Sequence, residues 1–405
     1  MNSRDPFYLL LAGLTAPLWM RKERQGWRER RGYAESLPEP GPEGRVLIHA
    51  VSVGEVNALR SLIPELAASG GPEVVVSTTT DTGTARASHL FGGVCPVVRY
   101  PLDFSKCVGR FLDAIKPTAV ALVELELWPN FVDECVRRGI PVSVINGRLS
   151  ERSSKGYRRI RPLIGPAFRK LSFAAVQGEA YAERFADMGV RDQDVLITGS
   201  MKWDAAPRHG DGPSDAALVL AEALGIDRSV PLIVGGSTGP GEEALLHHAC
   251  PTGVQLACAP RKPERFDQAA DDLGSCVRRS LGERGTAERY LLDTIGELRA
   301  LYELADLVVV GRSFGDLHGS DPIEPAALGK AIVIGPAFGD FLEPIRMLQQ
   351  SDAVCVAARD ELGVVLGDLM ADPGRRRGMG ERAAACVDRQ RGASARHAEL
   401  LRSIA

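Results

Sequence analysis

Short apolar runs rich in β-branched residues alternate with helix-length segments from residue 45 to near the C terminus. These runs are apolar on both faces, which is typical of parallel strands that helices cover on both sides of a sheet. The alternation predicts a doubly wound α/β architecture. The predicted strands are 46–52, 73–79, 95–100, 118–124, 141–146, 173–177, 194–199, 230–236, 254–259, 289–293, 307–311, 331–335 and 353–357.

A polar segment rich in proline and glycine, residues 207–214, separates this pattern into two halves. It has no hydrophobic periodicity, so it is interpreted as a linker. A chain of 405 residues is long enough for two domains that each have their own core. We predict two Rossmann-like domains that face a cleft, an N-terminal domain over 33–206 and a C-terminal domain over 207–405. The last helix of the chain is free in this arrangement to pack back on the N-terminal domain.

The N-terminal segment, residues 1–32, joins an apolar stretch at 6–20 to a basic cluster of Arg21, Lys22, Arg24, Arg28, Arg30 and Arg31. The stretch is shorter than the ~20 residues that a transmembrane helix needs, and a signal peptide would place its basic residues first. We predict a helix that inserts into or lies on the membrane, with the basic cluster at anionic headgroups on the cytoplasmic side. The alternative is a buried helix that packs on the N-terminal domain, and both interpretations place the body of the protein in the cytoplasm.

The composition of the chain argues against a nucleic-acid partner, because the formal net charge is only -3. The cysteines are scattered, form no C-x-x-C pair and lie partly inside apolar runs such as 256–259. They are therefore interpreted as small core residues rather than as a disulfide framework or metal ligands. No metal site is predicted.

The first predicted strand runs into a turn that carries a carboxylate at the start of a helix, in Ser52-Val53-Gly54-Glu55. In open α/β sheets, ligands bind beyond the carboxyl ends of the strands. Gly54 leaves room for another group to approach, and an exposed Glu55 suits a general base that takes a proton from an attacking hydroxyl. The alternative is that Glu55 only complements the dipole of its helix, which is worth ~0.3–1 kcal/mol.

Two more carboxylates follow the strand predicted at 118–124, in Val123-Glu124-Leu125-Glu126-Leu127-Trp128-Pro129-Asn130. Strand alternation places Glu124 and Glu126 on the same side. Acidic groups at the end of an apolar strand are costly to bury unless they are paired or face a solvated cleft. The pattern favours a functional role, and the alternative is a structural ion pair with an arginine such as Arg148.

In the second half, Gly235 to Glu243 forms a glycine-rich turn between a strand and a helix. Its backbone N–H groups are predicted to face an anion such as a phosphate, although the spacing fits neither an ATP nor an NAD motif. Arg261 follows the next strand and is suited to hold a phosphate or carboxylate. Lys262 and Arg265 are equally well explained as part of a solvated helix start.

Two later segments, Asp293–Leu298 and Asp321–Ala326, start helices after short loops. Each is by itself an N-cap signal. Together they suit a nucleotide, with helix N–H groups on the phosphate and a carboxylate such as Glu324 accepting from the ribose hydroxyls.

The combined motifs resemble those of the 3-deoxy-D-manno-octulosonic acid (Kdo) transferases, which transfer Kdo from CMP-Kdo to a lipid A precursor. The resemblance covers nearly the whole chain and includes the N-terminal apolar segment. The matching segments are Ser52-Val53-Gly54-Glu55, Glu126-Leu127-Trp128-Pro129-Asn130, Asn146-Gly147-Arg148-Leu149-Ser150, Gly199-Ser200-Met201-Lys202-Trp203-Asp204, Pro260-Arg261-Lys262-Pro263-Glu264-Arg265-Phe266, Asp293-Thr294-Ile295-Gly296-Glu297-Leu298 and Pro322-Ile323-Glu324-Pro325-Ala326.

This resemblance implies an inverting, metal-independent GT-B glycosyltransferase of lipopolysaccharide biosynthesis, without a cofactor, at the cytoplasmic side of the inner membrane. The N-terminal domain is expected to take the lipid A precursor, and the C-terminal domain the donor substrate CMP-Kdo. Glu55 is implied to be the general base, and Glu126 and Lys202 to stabilise charge as the bond to the CMP phosphate breaks. The residues implied to hold CMP are Pro260, Arg261, Ile295, Gly296, Glu297, Asp321, Pro322, Ile323 and Glu324.

The chain departs from the family pattern at three positions, because Gly239 and Lys262 replace usual histidines and Asp321 replaces a usual asparagine. The added charge of Asp321 is expected to weaken CMP binding unless Arg312 or another cation offsets it. One alternative is a GT-B enzyme that uses another sugar nucleotide or acceptor. Another is a membrane-bound relative that binds lipid or nucleotide without turnover, which the altered segment 317–321 favours.

Overall fold

A computed structural model describes residues 25–405 of the chain, apart from residues 69, 208–209, 211 and 283–287. Most of the segment predicted to associate with the membrane, residues 1–24, therefore lies outside the described residues. The chain divides into two compact units. The first extends to Ala205 and also contains Gln390–Ala405, and the second comprises Ala206–Arg389.

The first unit contains one parallel sheet of seven strands in the order β3-β2-β1-β4-β5-β6-β7. Its strands are β1 (Arg45–Ala50), β2 (Glu73–Thr78), β3 (Val97–Arg99), β4 (Ala119–Val123), β5 (Val142–Gly147), β6 (Ala174–Val176) and β7 (Val195–Ile197). Its helices are α1 (Trp27–Arg30), α2 (Val53–Leu66), α3 (Asp81–Phe91), α4 (Ser105–Ile115), α5 (Pro129–Arg137), α6 (Glu151–Arg159), α7 (Arg161–Phe168), α8 (Glu179–Met188) and α9 (Met201–Ala205).

The second unit also contains a parallel sheet of seven strands, in the order β10-β11-β9-β8-β12-β13-β14. Its strands are β8 (Leu232–Thr238), β9 (Gln255–Pro260), β10 (Val277–Arg278), β11 (Arg289–Leu291), β12 (Leu307–Val310), β13 (Ala331–Ile334) and β14 (Val354–Val356). The remaining helices are α10 (Asp215–Leu224), α11 (Glu242–Ala249), α12 (Phe266–Leu273), α13 (Leu298–Leu304), α14 (Ile323–Ala327), α15 (Leu342–Gln350), α16 (Leu362–Ala371), α17 (Pro373–Gln390) and α18 (Ala393–Arg402).

Burial on both faces of the sheets confirms the doubly wound α/β prediction. Every residue of β1 is buried, with Val46 and Ile48 in one apolar cluster and Leu47 in the cluster on the opposite face. The alternate direction of side chains along a strand produces this division. Because the strands are parallel, their carboxyl ends lie along one edge of each sheet, and the loops that follow them are brought together there.

The thirteen predicted strands are all present, with boundaries that differ by a few residues. The prediction for 118–124 was too long, because β4 ends at Val123 and Glu124 has a left-handed φ of 58°. The alternation argument for the facing of Glu124 and Glu126 therefore does not apply. The short strand β10 was not predicted, since two residues carry no readable alternation.

The C-terminal helix α18 belongs to the first unit, where it packs against α2. Leu401 and Ala398 enter the same buried cluster as Leu59. Ser394 Oγ lies 2.8 Å from Ser61 Oγ, and Arg402 donates to the carbonyl of Glu65. Among the described residues, no helix is both long and apolar enough to cross a membrane.

Candidate active site

Glu55 occupies the third position of α2, where it helps to cap the helix. Ser52 Oγ accepts the backbone N–H of Glu55 at 3.3 Å, and the Ser52 hydroxyl donates to Glu55 Oε1 at 2.8 Å. Glu55 Oε2 accepts the N–H of Val51 at 2.8 Å. This reciprocal bonding resembles a capping box. Glu55 thus has the capping role that the sequence analysis gave as the alternative. Each oxygen of its carboxylate can still accept a further hydrogen bond.

The surroundings of Glu55 favour a proton-accepting group. Burial raises the pKa of Glu55, the hydrogen bonds from Val51 and Ser52 lower it, and the charge of Glu124 raises it again, with a net shift above the usual value. Gly54 is exposed, and a Cβ there would contact only Ser52 Oγ, at 3.8 Å. The helix start is therefore open to another group, as predicted from the glycine.

Glu124 and Lys202 form an ion pair at the carboxyl end of the first sheet. Lys202 Nζ lies 3.7 Å from Glu124 Oε1, and both side chains are partly exposed. Lys202 is the second residue of α9, and Glu124 directly follows β4. From the sequence, the alternative interpretation of this acidic segment is a structural ion pair with an arginine. The structure identifies a lysine from the distant Gly199–Asp204 motif as a partner of Glu124.

Glu126 is the carboxyl group with the most altered acidity at this edge. Burial raises its pKa to about 7, against a hydrogen bond of 3.1 Å from the Trp128 indole N–H, and the charges of Glu55 and Glu124 add to the increase. The charge of Glu124 therefore raises the pKa of both Glu55 and Glu126, and the charge of Glu55 also raises that of Glu126. The structure brings together all three first-unit residues predicted for catalysis, Glu55, Glu126 and Lys202, through their shared neighbour Glu124.

In the second unit, Pro260 is the buried last residue of β9 and Arg261 follows it with an exposed side chain. The backbone N–H of Arg261 donates to Thr238 at 3.1 Å, which fixes the turn next to the end of β8. Arg265 takes a role that was not predicted, because it forms a two-pronged ion pair with the fully buried Glu243, at 2.8 and 3.0 Å. Of these two arginines, Arg261 is the one that points into solvent and is suited to bind an anion.

The glycine-rich turn after β8 binds a carboxylate of the chain itself. Glu242, 4% exposed, accepts the N–H of Gly239 at 2.7 Å and three more N–H groups at 2.6–3.1 Å, from Arg312, Ser313 and Phe314. The prediction that this turn offers its N–H groups to an external anion was wrong for Gly239. The nest exists, and the carboxylate of Glu242 occupies it.

The segment 293–297 lies after β11, next to the end of β9 in the sheet. Ile295 is 74% exposed, and Gly296 has a φ of 98° that favours glycine. Glu297, at the N-cap position of α13, is held by Arg279 at 3.1 Å and by the hydroxyl of Thr294. An exposed apolar tip beside a fixed carboxylate is compatible with a base or ribose contact.

The segment 321–324 carries two carboxylates beside β8 and β12. Asp321 Oδ1 accepts the N–H of Ile323 at 2.9 Å and thereby caps the short helix α14, in which Pro322 takes the N-cap position. Glu324 is partly exposed in the first turn of α14. Burial and the nearby charges of Glu324 and Asp321 raise the pKa of Tyr302, and the charge of Arg261 acts in the opposite direction. The predicted CMP-binding segments thus follow β9, β11 and β12 at one edge of the sheet, and the charges of Arg261, Asp321 and Glu324 all act on Tyr302.

Two departures from the family pattern, Gly239 and the altered segment 317–321, meet in the structure. A Cβ at Gly239 would lie 2.9 Å from Leu317 Cδ1 and 3.4 Å from Arg312 Cγ. A larger side chain at position 239 therefore requires Leu317 to move. Sequence reasoning treated the two departures separately because 78 positions separate them. Within the described part of the chain, no group of three His, Cys, Asp or Glu residues is arranged to hold a metal ion.

The fold places the chain in the class of two-unit α/β proteins of the GT-B type. It is similar to the crystal structure of Anabaena Alr3699/HepE in complex with UDP, with a TM-score of 0.60 and 16% identity over 89% of this chain and 100% of that one. It is also similar to the UDP-GlcNAc 2-epimerase from Neisseria meningitidis bound to UDP-GlcNAc, with a TM-score of 0.57 and 12% identity over 88% and 99% of the two chains. At these identities the likeness concerns the fold alone.

Sequence comparison narrows this class to one family. The family described as 3-Deoxy-D-manno-octulosonic-acid transferase (kdotransferase) matches residues 25–205. The 3-deoxy-D-manno-octulosonic acid transferase of Bordetella pertussis is 32% identical, over 98% of each chain. That of Haemophilus influenzae is 29% identical, over 98% of this chain and 95% of that protein. The chain belongs to the 3-deoxy-D-manno-octulosonic acid transferase family, which confirms the resemblance inferred from its motifs.

Proposed function

We propose that the protein is an inverting glycosyltransferase that moves Kdo from CMP-Kdo to a lipid A precursor, lipid IVA, in lipopolysaccharide biosynthesis. Its family membership supports Kdo transfer, and the GT-B fold suits a sugar-nucleotide donor. The observation that carries the proposal is the group formed by Glu55, Glu124, Glu126 and Lys202, in which Glu55 and Glu126 have raised pKa values and the start of the helix at Gly54 is open to another group. In this proposal the enzyme needs neither a metal ion nor a cofactor.

Glu55 acts as the general base. As the acceptor hydroxyl oxygen bonds to the anomeric carbon of Kdo, the bond from that carbon to the CMP phosphate breaks, and the hydroxyl proton passes to Glu55. A raised pKa suits this role because it increases the affinity of the carboxylate for the proton. The two hydrogen bonds from Val51 and Ser52 hold the carboxylate in position during the transfer.

Glu126 and Lys202 stabilise the charge that develops on the leaving CMP. A carboxyl group with a pKa of about 7 is about half protonated at neutral pH, so Glu126 can donate a hydrogen bond to an anionic oxygen. Lys202 supplies a positive charge, which its partly exposed pair with Glu124 leaves accessible. Preorganised groups of this kind are commonly worth 10²–10³ in rate.

The second unit holds CMP in this proposal. Arg261 binds the phosphate, and Glu324 accepts hydrogen bonds from the ribose hydroxyls. Pro260, the turn Ile295-Gly296-Glu297 and the segment Asp321-Pro322-Ile323 complete the site at the carboxyl ends of the strands. Arg312, whose guanidinium donates to the Leu317 carbonyl at 3.1 Å, is the cation proposed to offset the negative charge of Asp321.

The membrane is the proposed place of action, because a lipid acceptor is presented at its surface. Residues 1–32 anchor the protein to the cytoplasmic side of the inner membrane through the apolar stretch and the basic cluster. Arg30 links this segment to the sheet, since its guanidinium donates to the Thr79 carbonyl at 2.6 Å and to the Gln25 carbonyl at 3.1 Å. The anchor therefore joins the first unit next to the carboxyl end of β2.

A transfer assay tests the proposal directly. The full-length protein in detergent is supplied with CMP-Kdo generated in situ and with tetraacylated lipid IVA, and the product is identified by mass. We expect Kdo addition by the wild type and its loss in Glu55→Ala, while the folded content measured by circular dichroism stays unchanged. The same assay with EDTA is expected to retain full activity.

Two outcomes would contradict the proposal. Transfer from a different sugar nucleotide but not from CMP-Kdo would favour another GT-B activity. Binding of CMP without transfer by folded wild type would indicate an inactive relative, for which the residues at 317–321 are the first to examine. Restoring two family residues with a Gly239→His, Asp321→Asn double variant would then distinguish a lost activity from a different one.

A further inference from the structure

The loop that carries Lys202 is held from both sides by the C-terminal helix α18. This loop consists of residues 198–200, which connect β7 to the short helix α9, together with the first four residues of α9, and it lies in the first unit together with α18. Nearly 200 positions separate this loop from the helix that binds it. The contacts include hydrogen bonds as well as apolar packing, and those made by Asn146 are buried, so they specify the position of the loop.

The upstream contact runs through His397 and Asn146. Asn146 donates its backbone N–H to His397 Nε2 at 2.8 Å, and His397 Nδ1 lies 2.6 Å from the Ala393 carbonyl. Nδ1 therefore carries the proton and Nε2 is the acceptor. Asn146 Oδ1 in turn accepts the N–H of Met201 at 3.0 Å, and Lys202 follows directly. A chain of two hydrogen bonds thus connects His397 to the backbone beside Lys202.

The conformation of Asn146 indicates that the surrounding structure holds this residue in place for the two hydrogen bonds. Asn146 has a left-handed φ of 51°, is fully buried, and is the last residue but one of β5. Its Nδ2 has no hydrogen-bond partner among the described residues. Unsatisfied buried donors and left-handed non-glycine residues are uncommon and are concentrated at functional sites. Asn146 has both the left-handed backbone and the unsatisfied donor, and its Oδ1 accepts the N–H of Met201.

The downstream contact fixes the other side of the loop. The two carboxylate oxygens of Asp204 accept the backbone N–H groups of Gly392 and Ser394, each at 2.6 Å. Arg391 Nη1 donates to the Trp203 carbonyl at 3.0 Å, and Arg396 Nη2 donates to the Thr198 carbonyl at 2.7 Å. The chain on both sides of Lys202 is therefore bound by α18 and the two residues that precede it.

We propose that α18 positions Lys202 for the reaction, with His397 as a positioning residue that acts through Asn146. This inference rests on the proposed function, in which Lys202 stabilises the departing CMP. His397 does not touch the reacting groups. It holds the Asn146 backbone so that Oδ1 reaches Met201, and the place of Lys202 Nζ beside Glu124 follows from that contact.

Three variants of the first unit test the proposal. His397→Leu keeps an apolar volume but removes the acceptor for the Asn146 N–H, whereas His397→Gln keeps an acceptor oxygen near the Nε2 position. Asn146→Gly tolerates the left-handed backbone and removes only the contact to Met201. Leu401→Ala is the matched control, because it weakens the packing of α18 on α2 without touching Asn146. All four are compared with the wild type by thermal unfolding.

In the transfer assay, His397→Leu and Asn146→Gly are expected to lower kcat about 10- to 100-fold, as small misplacements of catalytic groups do. The KM for CMP-Kdo should change by less than about threefold, because the mutated groups lie outside the residues proposed to bind CMP. His397→Gln should recover most of the lost kcat. Leu401→Ala should unfold at a lower temperature and keep a kcat close to that of the wild type.

A second readout does not depend on activity. Reductive ¹³C-methylation gives an NMR signal for Lys202, which is assigned by its absence in Lys202→Arg. The signal should shift in His397→Leu and Asn146→Gly, and remain in place in His397→Gln and Leu401→Ala. If the wild type transfers no Kdo but this pattern of shifts is seen, the proposed function fails and the positioning stands.

An unshifted Lys202 signal together with unchanged kcat in the folded variants would overturn the positioning role and leave the proposed function intact. Loss of kcat in Leu401→Ala equal to that in His397→Leu would likewise overturn it, since general destabilisation would then explain both. If His397→Leu does not fold, Asn146→Gly provides the same comparison.

Discussion

The two strand-to-helix turns at the centre of the two sheets use the same sequence pattern for different purposes. After β1, Ser52-Val53-Gly54-Glu55 leads into α2, and after β8, Gly239-Pro240-Gly241-Glu242-Glu243 leads into α11. Among the residues that the structure describes, Glu55 accepts hydrogen bonds from its own turn alone, and it remains partly exposed. Glu242 is buried and accepts four backbone N–H groups, three of which come from the loop after β12.

The difference in hydrogen-bond partners between Glu55 and Glu242 indicates which acidic turn has a carboxylate available for chemistry. In the second unit the neighbouring strand supplies backbone N–H groups that fully occupy the carboxylate, and Arg265 neutralises the adjacent Glu243. In the first unit the neighbouring strand β4 is followed by Glu124 and Glu126, which offer negative charge instead of N–H donors. In the proposed function the first turn is therefore the reactive one, whereas the second is structural. Four experiments test this contrast.

The largest effect is expected for Glu55→Gln, which removes the proton acceptor but keeps the size of the side chain. We expect kcat to fall about 10²- to 10⁴-fold, which is the usual contribution of a general base. The stability should decrease only slightly, since one of the two capping contacts is lost. Transfer kinetics and thermal unfolding of the same preparation measure both quantities.

Ser52→Ala is the control for this experiment, because it removes the cap and keeps the carboxylate. It should lower the free energy of unfolding by about 1 kcal/mol and lower kcat much less than Glu55→Gln does, because the N–H of Val51 still holds the carboxylate. Equal losses of activity in the two variants would mean that Glu55 acts only as part of the cap, and the contrast between the two turns would disappear.

Arg265→Met is expected to destabilise the protein by about 3–5 kcal/mol, because it leaves the fully buried Glu243 without its ionic partner. Urea unfolding measures the change. The control is Lys262→Met, which breaks an exposed pair with Glu264 at 3.9 Å and should change stability by less than about 1 kcal/mol. Similar changes in both variants would show that the buried pair is not structural.

Glu242→Gln is expected to lower the free energy of unfolding by about 1–3 kcal/mol, because an amide NH₂ must then face backbone N–H donors. The loop at 312–314 should exchange its amide hydrogens faster, which hydrogen-exchange mass spectrometry detects. Unchanged protection of this loop would mean that the carboxylate does not hold it, and that the second turn is as open as the first.

The last comparison concerns the pH dependence of stability around Glu126. Its pKa rises from 4.5 unfolded to about 7 folded, so folding favours the protonated form. This stabilising contribution is complete below about pH 4.5 and is lost as the pH rises to about 7. Glu55 shifts in the same direction.

The measurement is the free energy of unfolding of the wild type and of Glu126→Gln at pH 5 and pH 8. The uncharged glutamine should make the variant gain stability relative to the wild type as the pH rises. Asp293 provides the opposite case in the second unit, since hydrogen bonds from Ser280 and Arg278 hold its pKa below the usual value despite burial. A difference between wild type and Glu126→Gln that does not vary with pH would refute the raised pKa.

Local pattern was enough to predict the elements of the fold and the position of the turn that carries Glu55. The apolar runs are long enough to mark every strand except β10, and the turn at Ser52–Glu55 lies where the sequence placed it. The pattern failed where a partner comes from far along the chain. It assigned the N–H of Gly239 to an external anion, whereas Glu242 accepts it, and it considered an arginine for an ion pair that Lys202 forms with Glu124.

The sequence by itself determined the doubly wound α/β class, the two halves and the family, because strand periodicity and short motifs are local properties. Only the tertiary structure decided which carboxylates remain available and what holds Lys202. Arg312 and Glu242 are 70 positions apart, and His397 and Asn146 are 251 positions apart. Parallel strands bring such distant loops to one edge of the sheet, and the hydrogen bonds formed there distinguish a reactive glutamate from a structural one.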